Sequence, residues 1–268
     1  MKKIFLFLLI SLSISLFSAQ RQVFLEIIGS EDCPYCRCAW HTLEYVQADY
    51  PPPQLNTIIW CSDFTKDLYR ERFKYYKMQG EPYAFIDGII TKIGAYGAGS
   101  KCDTTCQYLY YSGEDSSECK LKNNIGFLDR FDVPSPIDIQ LNATFDINTL
   151  SGILNIHTKV ENDITLQYNK IWVLIYERNV QDKFGSDNII FPQLARTRLL
   201  YSDFNLKTEG EEKDFSVNFT IDSGWVLENI GFLVFVQSDE TKEILQSAFL
   251  GTLPLQGEKK HKRPFDKP

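Results

Sequence analysis

Cys33-Pro34-Tyr35-Cys36 decides how the first half of the chain is read. Before it runs Val23-Phe24-Leu25-Glu26-Ile27-Ile28, ended by Gly29 and Ser30. β-Branched and aromatic residues favour a pleated strand, and a glycine–serine pair breaks one. After the motif, Cys36, Ala39, Trp40, Leu43 and Val46 recur at spacings of three and four, the pattern of a helix with one apolar face. Cys33 stands at the capping position, Pro34 at the favoured first helical position and Asp32 at the positive helix end. Pro51, Pro52 and Pro53 stop the helix. The two cysteines therefore flank the point where a strand hands over to a helix.

Further along, residues 55–60 read as a second strand and residues 65–76 as a second helix that ends at Gly80. Tyr83-Ala84-Phe85-Ile86 reads as a third strand, and Asp87-Gly88 as a turn into a hairpin partner over residues 89–93. The order is β-α-β-α-β-β, and the first crossover implies parallel, right-handed connection. Residues 94–129 are irregular and rich in tyrosine, and Pro134 and Pro136 mark a boundary. Beyond it Ile137, Ile139, Leu141, Ala143 and Phe145 alternate with polar residues, as do Leu150, Leu154, Ile156 and Val160. Residues 171–176, 215–221, 232–236 and 244–250 are further strand candidates. Roughly seven short strands with turns between them suggest an antiparallel sandwich, each sheet burying one face. The expected organisation is an α/β domain over residues 20–130, including a Cys-rich insert over 97–130, then an all-β sandwich over 134–255 and a basic, solvated tail over 256–268.

The chain has 268 residues and a formal net charge of −7, with seven cysteines and only three histidines. An acidic protein repels phosphate backbones, so no nucleic-acid partner is expected. So few histidines leave little for a histidine metal site or a serine-type triad. Lys2 and Lys3 precede an uncharged apolar run that ends in Ser18 and Ala19, the pattern of a secretory signal over residues 1–19. The run is shorter than a membrane span needs. An extracytoplasmic location follows as the expectation, not membrane-spanning but open to envelope association, where disulfides persist.

The spacing of Cys33 and Cys36 lets both sulfurs meet at a helix start, where unpaired N–H groups and the helix dipole favour a thiolate at Cys33. Cys33, first and more exposed, is expected to attack; Cys36, one turn inward, to resolve the mixed disulfide. Pro34 stiffens the turn. The remaining cysteines are not in C-x-x-C spacing, so no metal is expected, and a structural disulfide is the other reading of the pair.

A C-x-x-C pair in a β-α-β context, with Glu81-Pro82 just before the strand Tyr83-Ala84-Phe85-Ile86, resembles the thioredoxin superfamily. The sequence Cys-Pro-Tyr-Cys is that of its glutaredoxin branch. The resemblance implies that Pro82 is cis and faces the dithiol, and that Pro34, Tyr35, Glu81 and Pro82 shape a groove for an extended peptide. Two positions depart from that pattern. Ile27 occupies the place of a buried acid, with Glu26 one step away on the opposite face of the strand. Glu81 replaces a small or β-branched residue, and its carboxylate would oppose thiolate formation at Cys33. Over nearly the whole mature length the chain is similar to the bacterial twenty-eight-kilodalton outer membrane protein family. The stretches that carry this are residues 80–88, 171–177, 232–237 and 241–248. That family joins a thioredoxin-like domain to a C-terminal immunoglobulin-like sandwich. The expected fold class is accordingly an α/β thioredoxin-like domain followed by an all-β immunoglobulin-like sandwich.

Cys61 falls at the end of the second strand, on the dithiol edge of the sheet, and reads either as an extra redox thiol or as a small buried residue. Cys38 reads as an exposed thiol or a partner of Cys61. Cys102, Cys106 and Cys119 read as staples of a loop with little core of its own. Asn142-Ala143-Thr144 and Asn218-Phe219-Thr220 fit the N-glycosylation pattern. Two functions are carried forward. One is an exported thiol–disulfide oxidoreductase that needs no cofactor, acts on a disulfide- or thiol-containing protein and draws electrons from a redox partner protein. The other is a non-enzymatic envelope protein whose sandwich binds a partner.

Overall fold

Strand β1 (Val23–Gly29) is buried along its whole length. It pairs in parallel with β2 (Leu55–Cys61) and antiparallel with β3 (Tyr83–Ile86), which forms a hairpin with β4 (Ile90–Ile93). The computed structural model that shows this describes residues 19–93, 128–184, 187–251 and 253. Helix α1 (Cys36–Asp49) joins β1 to β2, and α2 (Lys66–Tyr75) joins β2 to β3. Strands covered on both faces can be apolar throughout rather than alternating. Leu25, Ile27, Leu55 and Ile59 pack under Ala39, Trp40, Leu43 and Val46 of α1. Phe24, Ile28, Ile58 and Trp60 point the other way.

Strands β5 (Ile137–Asp146), β6 (Ser151–Val160) and β9 (Glu212–Thr220) form a three-stranded antiparallel sheet. Opposite it run β7 (Asn169–Phe184), β8 (Asp187–Asp203), β10 (Ile230–Ser238) and β11 (Ile244–Leu250). Ile171, Val173, Ile175, Phe232 and Val234 fill the space between the layers. Their neighbours Trp172, Leu174, Tyr176, Leu233 and Phe235 face away from that layer and share one core with Phe24, Ile28 and Trp60 of β1 and β2. Each such fully buried large apolar side chain contributes ~1.5–3 kcal/mol.

That shared core corrects the expected fold class. The chain is mostly β, and its strands do not sort into an α/β thioredoxin-like layer followed by a separate immunoglobulin-like sandwich. One mixed eight-stranded sheet, in the order β11-β10-β7-β8-β2-β1-β3-β4, takes strands from both halves. The seam is β8, which pairs antiparallel with β7 along most of its length and meets β2 in parallel at Ile59 and Leu194. The sheet also curls. Four strand steps separate β1 from β10, ~19 Å in a flat sheet. Yet the Phe24 and Phe235 rings stack with centroids 4.9 Å apart. The curl brings the β3–β4 turn onto β11, where the Ile244 N–H donates to the Asp87 carbonyl at 2.8 Å. Gly88 in that turn has φ +73°, and a Cβ on it would lie 2.0 Å from the Lys242 carbonyl oxygen.

Charged side chains lock the same junction. Arg72 of α2 and Glu26 of β1 are both fully buried and form an ion pair. Burial works against the Arg72 charge, but the Glu26 carboxylate together with Tyr76 and Tyr75 outweighs it and holds the guanidinium protonated. Trp60, Tyr75, Tyr76, Trp172 and Phe235 surround it. Nearby, Asp87 accepts from Arg21 at 3.3 Å and from Arg130 of α3 (Leu128–Phe131) at 2.8 Å. Ala19 pairs with Ser135 across an isolated bridge. Residues 1–18 of the expected signal, most of the insert including Cys102, Cys106 and Cys119, and the whole basic tail lie outside the described residues. No helix among the described residues is long and apolar enough to cross a membrane.

Candidate active site

The sulfur pair sits where β1 ends. Cys33 and Cys36 are joined as a disulfide with Cα atoms 5.3 Å apart. The helix proper starts at Cys36, later than the sequence pattern places it, and Tyr35 at its N-cap makes no side-chain cap. Cys33 caps it instead: the Cys36 N–H donates to the Cys33 carbonyl at 3.1 Å and lies 3.2 Å from Cys33 Sγ. No acidic residue lies in the first turn of α1 to oppose its positive end. A thiolate formed at Cys33 would be stabilised by that N–H and by the dipole. Cys33 is half-buried, Cys36 fully buried, and Pro34 and Tyr35 are exposed between them. Gly29 makes the inner position available, because a Cβ there would lie 2.6 Å from Cys36 Sγ.

A carboxylate completes the group. The Glu81–Pro82 peptide is cis, and Pro82 is buried. The Glu81 side chain turns toward the inner sulfur, with Oε2 3.9 Å from Cys36 Sγ. Ser30 Oγ donates to the same Oε2 at 2.6 Å, and the Tyr69 hydroxyl of α2 donates to Oε1. Burial raises the Tyr69 phenol, and the Glu81 carboxylate raises it further, so Tyr69 stays a donor. The two sulfurs and a Glu81 oxygen all lie within 4.8 Å of one another. As a disulfide, the sulfurs offer no thiolate to a cation. On reduction the three groups would supply one donor fewer than a tetrahedral site needs.

The remaining cysteines are placed differently from one another. Cys61 pairs in register with Gly29 and is fully buried. Burial pushes its thiol far above the usual range, so it stays protonated, 3.4 Å from Asp63 Oδ2. Such a thiol is a poor nucleophile. Cys38 is 3% exposed and disulfide-bonded, while Cys61 is free, so Cys38 is neither an exposed thiol nor the partner of Cys61. Glu26 lies on the far side of β1 from Cys36, as strand alternation requires.

Two contributions were not legible in the sequence: Tyr69 and Ser30. Tyr69 lies in a helix read only for its period, and nothing local points it at residue 81. An acidic group beside the site was also missed. Burial, then Asp182 and Asp63, raise the Glu31 carboxyl to about 7. Asp63 accepts the Glu31 N–H at 2.9 Å.

No protein-family model matches the chain, and no curated protein matches it. Among solved structures, a domain of the outer membrane lipoprotein Omp28 from Porphyromonas gingivalis matches 46% of this chain and 93% of its own length, at 19% identity and a TM-score of 0.31. The sporulation control protein Spo0M from Bacillus subtilis matches 45% of this chain and 49% of its own, at 14% identity and a TM-score of 0.30. HBP35 of Porphyromonas gingivalis matches 92% of this chain and 81% of its own, at 15% identity and a TM-score of 0.63. The chain therefore resembles HBP35 in fold over nearly its whole length.

Proposed function

We propose that the chain is an exported thiol–disulfide oxidoreductase working through Cys33 and Cys36. One observation carries the reading. A disulfide joins a half-exposed outer sulfur to a fully buried inner one at a helix start, and the Cys36 N–H lies 3.2 Å from the outer sulfur. In the reduced state the Cys33 thiolate attacks a substrate disulfide, forming a mixed disulfide and releasing the first substrate thiol. Cys36 then attacks Cys33, which restores the internal disulfide and releases the second thiol. The substrate disulfide is reduced and the dithiol oxidised by the same two electrons. A partner protein with a reactive dithiol resets the pair. Pro34 and Tyr35 form the exposed lip that a substrate peptide meets, and the Glu81–Pro82 backbone forms the opposite wall. The leader-like residues 1–19 support an extracytoplasmic place of work.

The test is catalysed reduction of a generic protein disulfide, such as that of insulin, with dithiothreitol as electron donor. The Cys33→Ser variant is expected to fall to the rate of the reductant alone. Equal turnover by variant and parent would leave the pair as a structural staple and the chain as a non-enzymatic envelope protein.

A further inference from the structure

We propose that Glu81 is the proton acceptor for Cys36 in the resolving step, a role that rests on the oxidoreductase reading of the same site. The inner sulfur needs one. Cys36 is fully buried, so solvent base reaches its thiol poorly. Strand β1 beneath it supplies none, because Ile27 faces α1 and Glu26 lies on the other side of β1. Glu81 Oε2 is 3.9 Å from Cys36 Sγ, within reach of the S–H that reduction creates. The Ser30 and Tyr69 hydroxyls hold both oxygens of that carboxylate in place.

The step balances. Glu81 Oε2 takes the Cys36 proton as Cys36 Sγ bonds to Cys33 Sγ. The bond between Cys33 and the substrate sulfur breaks, and the substrate leaves as a thiolate that takes a proton from water or from Glu81. The other groups around the pair do not compete for the role. Tyr69 and Cys61 are held protonated by burial. Asp63 is hydrogen-bonded to the Glu31 N–H, Ser62 Oγ and Cys61 Sγ. Glu31 turns to Asp63 and Asp182. Cys33 is the sulfur under attack.

Reaction of the reduced full-length protein with dithionitrobenzoate separates the two steps. The first thionitrobenzoate leaves when Cys33 attacks; the second leaves when Cys36 resolves the adduct. In Glu81→Gln the second release is expected to slow on the order of a hundredfold at neutral pH, the low end of what a positioned general base supplies. The first release is not slowed, since removing a nearby negative charge favours the Cys33 thiolate. A general loss of structure would expose both sulfurs and would not slow the second release alone. The parent protein gives an independent reading, free of any folding defect in the variant. Its second release should stay level with pH through neutrality, where the release from an unassisted thiol would climb. An unslowed second release in Glu81→Gln, or a parent rate rising tenfold per pH unit through neutrality, would overturn the role of Glu81 and leave the redox reading standing. A parent protein that releases no second thionitrobenzoate would overturn both.

Discussion

Two glutamates flank the first strand's surroundings and illustrate opposite uses of a carboxylate. Glu26 is fully buried, and all its lone pairs are taken. Oε2 accepts from Trp60 Nε1 at 2.8 Å and Arg72 Nε at 2.9 Å, while Oε1 accepts from Arg72 Nη2 and the Tyr76 hydroxyl. Glu81 is half-buried, with one hydroxyl donor on each oxygen and one side of Oε2 open toward a sulfur. A carboxylate saturated with donors, one of them a cation, fixes a junction and has no lone pair left. One held by two neutral donors is positioned and keeps a lone pair free. Burial alone does not tell the two carboxylates apart; the unoccupied lone pair does.

The largest expected effect strikes the saturated side. Arg72→Ala leaves Glu26 charged and unpaired in the core and is expected to cost about 3–5 kcal/mol, read from the denaturant midpoint. The paired replacement Glu26→Leu with Arg72→Met should recover most of that loss. If the double variant is as unstable as the single one, the pair does more than satisfy itself. Gly29→Ala addresses the other side. It forces a Cβ toward Cys36 Sγ and is expected to cost about 1–3 kcal/mol, with a slower resolving step. A fully stable Gly29→Ala protein would mean that the inner sulfur has room to move.

The acidic group beside the site gives a smaller, pH-dependent effect. The folded Glu31 carboxyl titrates near 7, raised by burial first and then by Asp182 and Asp63, above an unfolded value of ~4.3. A raised folded value means stability that is complete below the unfolded value and is lost as pH rises through about 7. Thermal melts of the parent should therefore lose stability across that window, and Glu31→Gln should flatten the slope. An unchanged slope would assign it to other groups. Tyr35→Ala is expected to change stability least, by ~0.5 kcal/mol or less, because the ring is 50% exposed. Its effect should instead appear as a raised KM for a protein disulfide, and an unchanged KM would remove Tyr35 from the substrate lip.

The local parts of this architecture could be read from residues, and the joining part could not. Tyr83–Ile86 and Ile244–Leu250 are strands with the bounds their sequence suggests, and the second helix differs by one residue at each end. Period-two alternation correctly separated Glu26 from Ile27. Strand β8 was missed entirely. Pro192 interrupts it, Arg196 and Arg198 break its apolar pattern, and β7, its main partner, shifts register twice. It is also the strand that makes one sheet of two expected layers. Its parallel contact with β2 joins Ile59 to Leu194, and a pairing that remote leaves no periodicity in either segment. The dithiol was legible for the converse reason: a short spacing at a strand–helix handover is local. The partners of Glu81 come from two other elements and carry no local signal.

The most direct test of the sulfur chemistry is trapping. The Cys36→Ser protein, reduced and mixed with a disulfide-containing protein, keeps the outer sulfur and lacks the inner one. Mass spectrometry of the adduct is expected to find the substrate bound through Cys33 and released by added thiol. An adduct that forms only on Cys61, or none at all, would contradict the account.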